Sequence, residues 1–301
     1  DMAKTCAVCG GETPWTEVPG NRDDWSDLRR CPECGIIFNR APRGLRHDRA
    51  AEGTGDPGTW PRRLLAGVRY HTIIRRLEER VPGRGRILEL GCGAGDLALL
   101  LTRRGWQVWG VDPSDNSVAP CRSFLGDRFV HGGLEDLDAP DASFDAVVMN
   151  FSLEHCDDPR AELARIERLL RPGGVVLLRV PNIDALFRGQ RGAGFQLRLS
   201  VHRCFFGPRS LAGLLGTCGF EVREMETPLM LVACTSLAFG WAPALDSERW
   251  IHRPLAPGSI ARALPLAALA LLACPFVWWR CRRREGLILQ AVAGKPAGEE
   301  S

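Results

Sequence analysis

The run Ile87-Leu-Glu-Leu-Gly-Cys-Gly-Ala-Gly-Asp96 constrains this chain more than any other stretch. Apolar residues with one embedded acid run into a glycine-rich turn, and a helical pattern follows. A second apolar run, residues 107–111, ends on Asp112. Strand, tight loop, helix and a strand tipped by a carboxylate make half of a nucleotide-binding α/β unit. A carboxylate at that strand end can accept from both hydroxyls of a ribose.

The glycine spacing narrows the choice of nucleotide. Gly91, Gly93 and Gly95 give G-x-G-x-G, whereas the dinucleotide fingerprint is G-x-G-x-x-G, which presses backbone N–H groups on a pyrophosphate. Asp96 at the helix start and Glu89 before the loop are poor company for phosphate. They suit a cationic ligand that carries an ammonium and a sulfonium, so a nicotinamide oxidoreductase ranks last. Further along come Ser143-Phe-Asp-Ala-Val-Val-Met-Asn150, then Leu153-Glu-His-Cys-Asp-Asp-Pro159, a helical pattern at Ala161, Leu163, Ile166, Leu169 and Leu170, and Arg171-Pro-Gly-Gly174 leading into an apolar run. In this order the segments resemble the class I S-adenosylmethionine-dependent methyltransferases. The first motif of that family, (D/E)-x-G-x-G-x-G, is matched by Glu89-Leu-Gly-Cys-Gly-Ala-Gly95.

The resemblance covers residues 84–226 and a short segment near 286–296. It implies an α/β fold with a doubly wound, seven-stranded, mostly parallel sheet, whose last strand lies antiparallel between the fifth and sixth. The expected strands are 86–90, 107–111, 128–131, 144–150, 174–180, 220–225 and 286–292. It also implies S-adenosyl-L-methionine as cofactor. Gly91, Cys92, Gly93 and Gly95 would approach the methionine moiety, and Glu89 would orient it. Asp112 and Pro113 would face the ribose, Leu134 the adenine, and Asn150 the junction with the acceptor. Relatives often have an Asp where Gly133 stands, so here that contact would either fall to the Leu134 backbone or be lost.

Cys6-Ala-Val-Cys9-Gly10 and Cys31-Pro-Glu-Cys34-Gly35 are paired C-x-x-C-G knuckles. Four thiolates so spaced suit a structural Zn²⁺ and leave no open position for catalysis. Residues 1–40 hold few aliphatic residues, so metal ligation would supply the stabilisation that a small core cannot. The other eight cysteines are scattered without a disulfide rhythm, which points to a reducing cytosol. Of the 39 basic residues only Lys4 and Lys295 are lysines, and the arginines are spread along the chain. That spread does not announce a nucleic-acid face.

Residues 41–83 read as a Gly/Pro-rich linker and then a helix, which in the family covers the cofactor. Between the sixth and seventh strands, residues 227–285 form an insertion with apolar runs at 229–245 and 263–279, closed by Arg280-Cys-Arg-Arg-Arg284. Seventeen residues fall short of a membrane span, and the chain must return to the same sheet. A helical cap with peripheral membrane contact is expected, on the cytoplasmic side where arginines meet anionic headgroups. Residues 297–301 are a tail.

For a base the chain offers His155, with Glu154 as its orienter, and His202 in a segment that family members use for substrate. An imidazole suits removal of a hydroxyl proton near neutral pH. The expected activity is methyl transfer to a hydroxyl or carbon of a small-molecule, glycan or lipid-linked acceptor. Two alternatives stand beside it: a ribbon-docked RNA methyltransferase, which would need a clustered basic face, and a non-catalytic cofactor-binding scaffold.

Overall fold

A computed structural model describes residues 5–6, 8–12, 14–18, 27–40, 60–187, 201–229, 234 and 259–297. Of the expected linker at 41–61, residues 41–59 lie outside the described residues, as does most of the first apolar run of the insertion, and residues 60 and 61 already belong to a helix.

Strands β4 (Arg86–Leu90), β5 (Gln107–Asp112), β6 (Phe129–His131), β7 (Phe144–Asn150), β8 (Leu170–Pro181), β10 (Glu221–Glu226) and β11 (Ile288–Gly294) form the main sheet, in the order β10-β11-β8-β7-β4-β5-β6. The inner strands pair in parallel: Ile87 faces both Val108 on β5 and Ala146 on β7. They read as near-continuous apolar runs because both of their faces are covered. β11 is antiparallel to β8 and to β10, as the family topology implies.

Helices α2 (Asp96–Arg103), α3 (Asp115–Leu125), α4 (Pro159–Leu169), α5 (Ile183–Phe187) and α6 (Pro208–Thr217) connect the strands. α4 begins at Asp158, whose carboxylate accepts from the N–H groups of Arg160 and Ala161, with Pro159 at the first helical position. Long helix α1 (Trp60–Arg80) lays Tyr70, Ile73, Ile74 and Leu77 on Leu97, Leu100 and Leu101 of α2. α7 (Ser259–Arg282) precedes β11.

A second, small sheet joins β1 (Thr16–Glu17), β2 (Leu28–Arg30), β3 (Ile37–Asn39) and β9 (Cys204–Phe205), all antiparallel. Three of its strands come from the cysteine-rich N-terminal segment and one from the chain after β8. Ile36, Phe38 and Val8 share one apolar cluster with Leu153, Leu178, Phe206 and Leu211. The N-terminal segment is therefore packed against the main sheet and its helices.

Candidate active site

The turn after β4 is a cradle in which Gly91 and Gly95 leave no room for a side chain. Gly91 has φ +74°, and a Cβ there would stand 2.7 Å from Cβ of Ser152. Gly95 has φ +81°, and its Cβ would meet Phe124 at 2.7 Å and the Cys121 sulfur at 2.9 Å. A side chain would be strained twice, by conformation and by collision. The loop is held down by hydrogen bonds: Gly91 N donates to Val111 O (2.8 Å), the Cys121 thiol to Gly93 O (3.3 Å), and Ser152 Oγ to Leu90 O (2.8 Å). The Asp112 carboxylate accepts from Gly93 N (2.7 Å) and from Ser114 N (2.9 Å), one bond to each oxygen. Each oxygen keeps a further lone pair for a ligand hydroxyl.

Glu89 lies on the floor of this cradle, 3% exposed. The N–H of Ala98 donates to it, yet Oε2 is buried without a hydrogen-bond partner. Burial pushes its carboxyl well above the ordinary range, and the negative fields of Cys121, Asp96 and Asp112 push it the same way. Tyr70 of α1, the one tyrosine of the chain, is buried within the field of Asp96 and Glu89. Sequence reasoning placed a helix here without singling out this residue.

On the far side of Gly91, β7 ends at Asn150, whose Oδ1 is likewise buried without a partner. Phe151 then takes φ +59°, an unusual conformation for a bulky side chain, and this turn sets Ser152 against the glycine loop. The short turn Leu153–His155 follows. His155 Nδ1 lies 3.2 Å from the carbonyl oxygen of Val201. A carbonyl can only accept, so Nδ1 carries a proton. The His155 and His202 rings meet edge to face with centroids 4.8 Å apart. Ligating atoms of Glu154, His155 and His202 all lie within 4.8 Å of one another. The three candidate catalytic residues, spread over 49 positions of sequence, form one cluster.

A methyltransferase-domain family matches residues 63–225, more than half of the 301-residue chain. The chain belongs to the class I S-adenosylmethionine-dependent methyltransferases. A Mycolicibacterium smegmatis protein named "Probable S-adenosylmethionine-dependent methyltransferase" is 34% identical over 182 residues, covering 60% of this chain and 66% of its own length. The ubiquinone biosynthesis O-methyltransferase of Xanthomonas axonopodis pv. citri is 33% identical over 181 residues, covering 55% of this chain and 74% of its own. The crystal structure of the [4+2]-cyclase SpnF superposes with a TM-score of 0.51 at 21% identity, over 85% of this chain and 89% of that one, which speaks for the fold alone.

The cradle of this methyltransferase fits the donor its family uses. Asp96 brings negative charge toward an ammonium, Glu89 has a buried oxygen that no protein group satisfies, and Asp112 has lone pairs left for a ribose. The remaining expected cofactor contacts fall less directly on the cradle. Cys92 lines the turn through its main chain, its thiol being buried 3.8 Å from the Cys121 sulfur. The Leu134 side chain is in the core, and Asp136 turns back to accept from Gly133 N (2.8 Å). The Pro113 carbonyl lies 3.2 Å from the His131 ring.

The cysteine knuckles converge as their spacing predicts. Gly10 and Gly35 adopt φ +73° and +78°, and Gly10 N and Gly35 N close turns on the carbonyls of Cys6 and Cys31. The Cys6–Cys34 and Cys9–Cys31 sulfur separations are both 3.7 Å. Thiolates about 2.3 Å from a shared tetrahedral ion stand about 3.8 Å apart, so the donor set and its spacing fit Zn²⁺.

Proposed function

We propose that this methyltransferase alkylates a hydroxyl of a lipophilic or small-molecule acceptor, with His155 as the base, and that its four N-terminal cysteines hold a structural zinc ion. The convergence of Glu154, His155 and His202 one short turn beyond Gly91 carries the reading. The donor supplies a methyl group already activated by the positive sulfur. The protein then has to align the nucleophile and remove its proton. Asn150 would orient the acceptor through its buried Oδ1. His155 Nε2 would take the hydroxyl proton, Val201 O fixing its tautomer, while Glu154 steadies the resulting imidazolium and His202 walls the acceptor. The O-methyltransferase among the relatives favours oxygen over carbon as the atom alkylated.

A lipophilic acceptor also gives the insertion a purpose. The outward face of α7 carries Leu271, Leu272, Phe276, Trp278 and Trp279, all exposed, while Ala270, Ala273 and Val277 face the body. Arg282 and Arg283 lie over the Trp278 and Trp279 rings at the same helix end. Aromatic residues backed by arginine suit the boundary of an anionic bilayer. No described helix is long and apolar enough to cross a membrane, so this contact would be peripheral.

The test of the chemistry is transfer of a radiolabelled methyl group to host extract, with His155→Ala as comparison. Label should enter the organic phase, and His155→Ala should lower the rate at least about 100-fold while donor affinity changes less than about twofold. Label entering RNA, or an unchanged rate in the variant, would overturn the acceptor class or the base respectively.

A further inference from the structure

The segment that carries His202 is held from two directions. From the catalytic body, Arg203 N donates to Glu154 O (2.8 Å), the Cys204 thiol to Leu153 O (3.5 Å), and the Arg203 side chain meets Asp157 at 2.6 Å. From the cysteine module, β3 pairs with β9 in the register Ile37↔Phe205 and Phe38↔Cys204. Asn39, at the end of β3, adds two bonds: its N–H to Arg203 O (2.9 Å) and its side-chain amide to His202 O (3.3 Å). Asn39 is a buried polar residue, so leaving its partner carbonyl unsatisfied carries a cost. β3 itself leaves the second knuckle directly, through a turn closed by Cys31 N donating to Ile36 O (2.9 Å).

A continuous line of main-chain and side-chain bonds therefore runs from the knuckle at Cys31 through β3 and Asn39 to His202, whose ring contacts His155. We propose that the cysteine module is a positioning element for the imidazole pair, and that Asn39 is the residue that couples the two. The module touches neither the glycine loop nor Asp112 through these bonds, so its effect falls on the acceptor side and leaves the donor side alone. The inference rests on the reading that His155 and His202 serve the acceptor, and the test separates the two.

The full-length, zinc-loaded protein would be compared with Asn39→Leu, which keeps the volume and removes the amide donor, by hydrogen exchange and by NMR of the imidazole ring protons. Exchange over residues 201–206 should rise about tenfold, the equivalent of one lost hydrogen bond. The cross-peak between the two rings should disappear, and donor affinity by calorimetry should stay within about twofold. Withdrawing zinc from the wild-type chain with a chelator should give the same local pattern, which guards against a variant that fails to fold. Unchanged exchange and an intact cross-peak would overturn the proposal. So would a change that spreads into β4 and β5 with loss of donor binding, because the module would then support the whole fold. Loosened imidazoles with methyl transfer at the wild-type rate would leave the positioning role standing and remove His155 as base.

Discussion

Glu89 shows how one residue ties folding to ligand binding. Its carboxyl is raised by burial first and by neighbouring negative groups second, so the folded chain favours the protonated form. The stability that follows is fully present below the unfolded value and is lost as pH rises through the folded one. Without donor, the wild-type melting temperature should therefore fall relative to Glu89→Gln as pH rises above the ordinary carboxylate range, as measured by calorimetric scans. A bound cationic donor would favour the carboxylate and expel its proton. Binding heats taken in two buffers of different ionisation enthalpy should reveal that release at neutral pH. Glu89→Gln should abolish it and weaken donor binding about 10- to 100-fold, the span for one hydrogen bond to a charged group. An unchanged dissociation constant would remove Glu89 from the donor site.

At the scale of elements, the placing of α1 depends on a buried arginine. Arg179 of β8 is fully enclosed, and burial lowers its guanidinium to about 10. It donates to Gln290 Oε1 (2.7 Å), to Arg69 O (3.1 Å) and to the Thr72 hydroxyl, while Gln290 donates to Glu226 (2.8 Å). Arg76 joins from α1 through Glu224 (3.0 Å) and Glu226 (3.1 Å). Arg179→Ala should cost about 1–3 kcal/mol in denaturant unfolding, since it takes a buried donor from Gln290, Arg69 O and Thr72. Arg179→Met should cost less. Loosening α1 should also raise the donor dissociation constant, because Tyr70 rides on that helix. None of this network was legible in the sequence. Arg179 stands in a run of valines and leucines, and its partners are 107 and 111 residues away. Hydrophobic period and turn glycines made the strands readable to within a few residues, since each depends on local chemistry. Asp112, Gly91 and the four cysteines were readable for the same reason. Tyr70 and Asn39 were not, because their meaning comes from what distant strands bring beside them.

Across the whole molecule, the outward face of α7 predicts a measurable affinity for anionic bilayers. The protein should sediment with vesicles of phosphatidylglycerol and phosphatidylcholine at low salt and leave them as salt rises. Each arginine near such a surface contributes about 1 kcal/mol, so replacing Arg282 and Arg283 with glutamine should weaken partitioning about 30-fold. Protein that stays in the supernatant at low salt would end the membrane reading. β11 is sandwiched between β8 and β10, although every other described strand precedes it in the chain. During synthesis, β8 and β10 must wait with bare edges until residues 288–294 leave the ribosome. A nascent chain stalled just short of them would offer two open templates to its neighbours, and chaperones would find their client there.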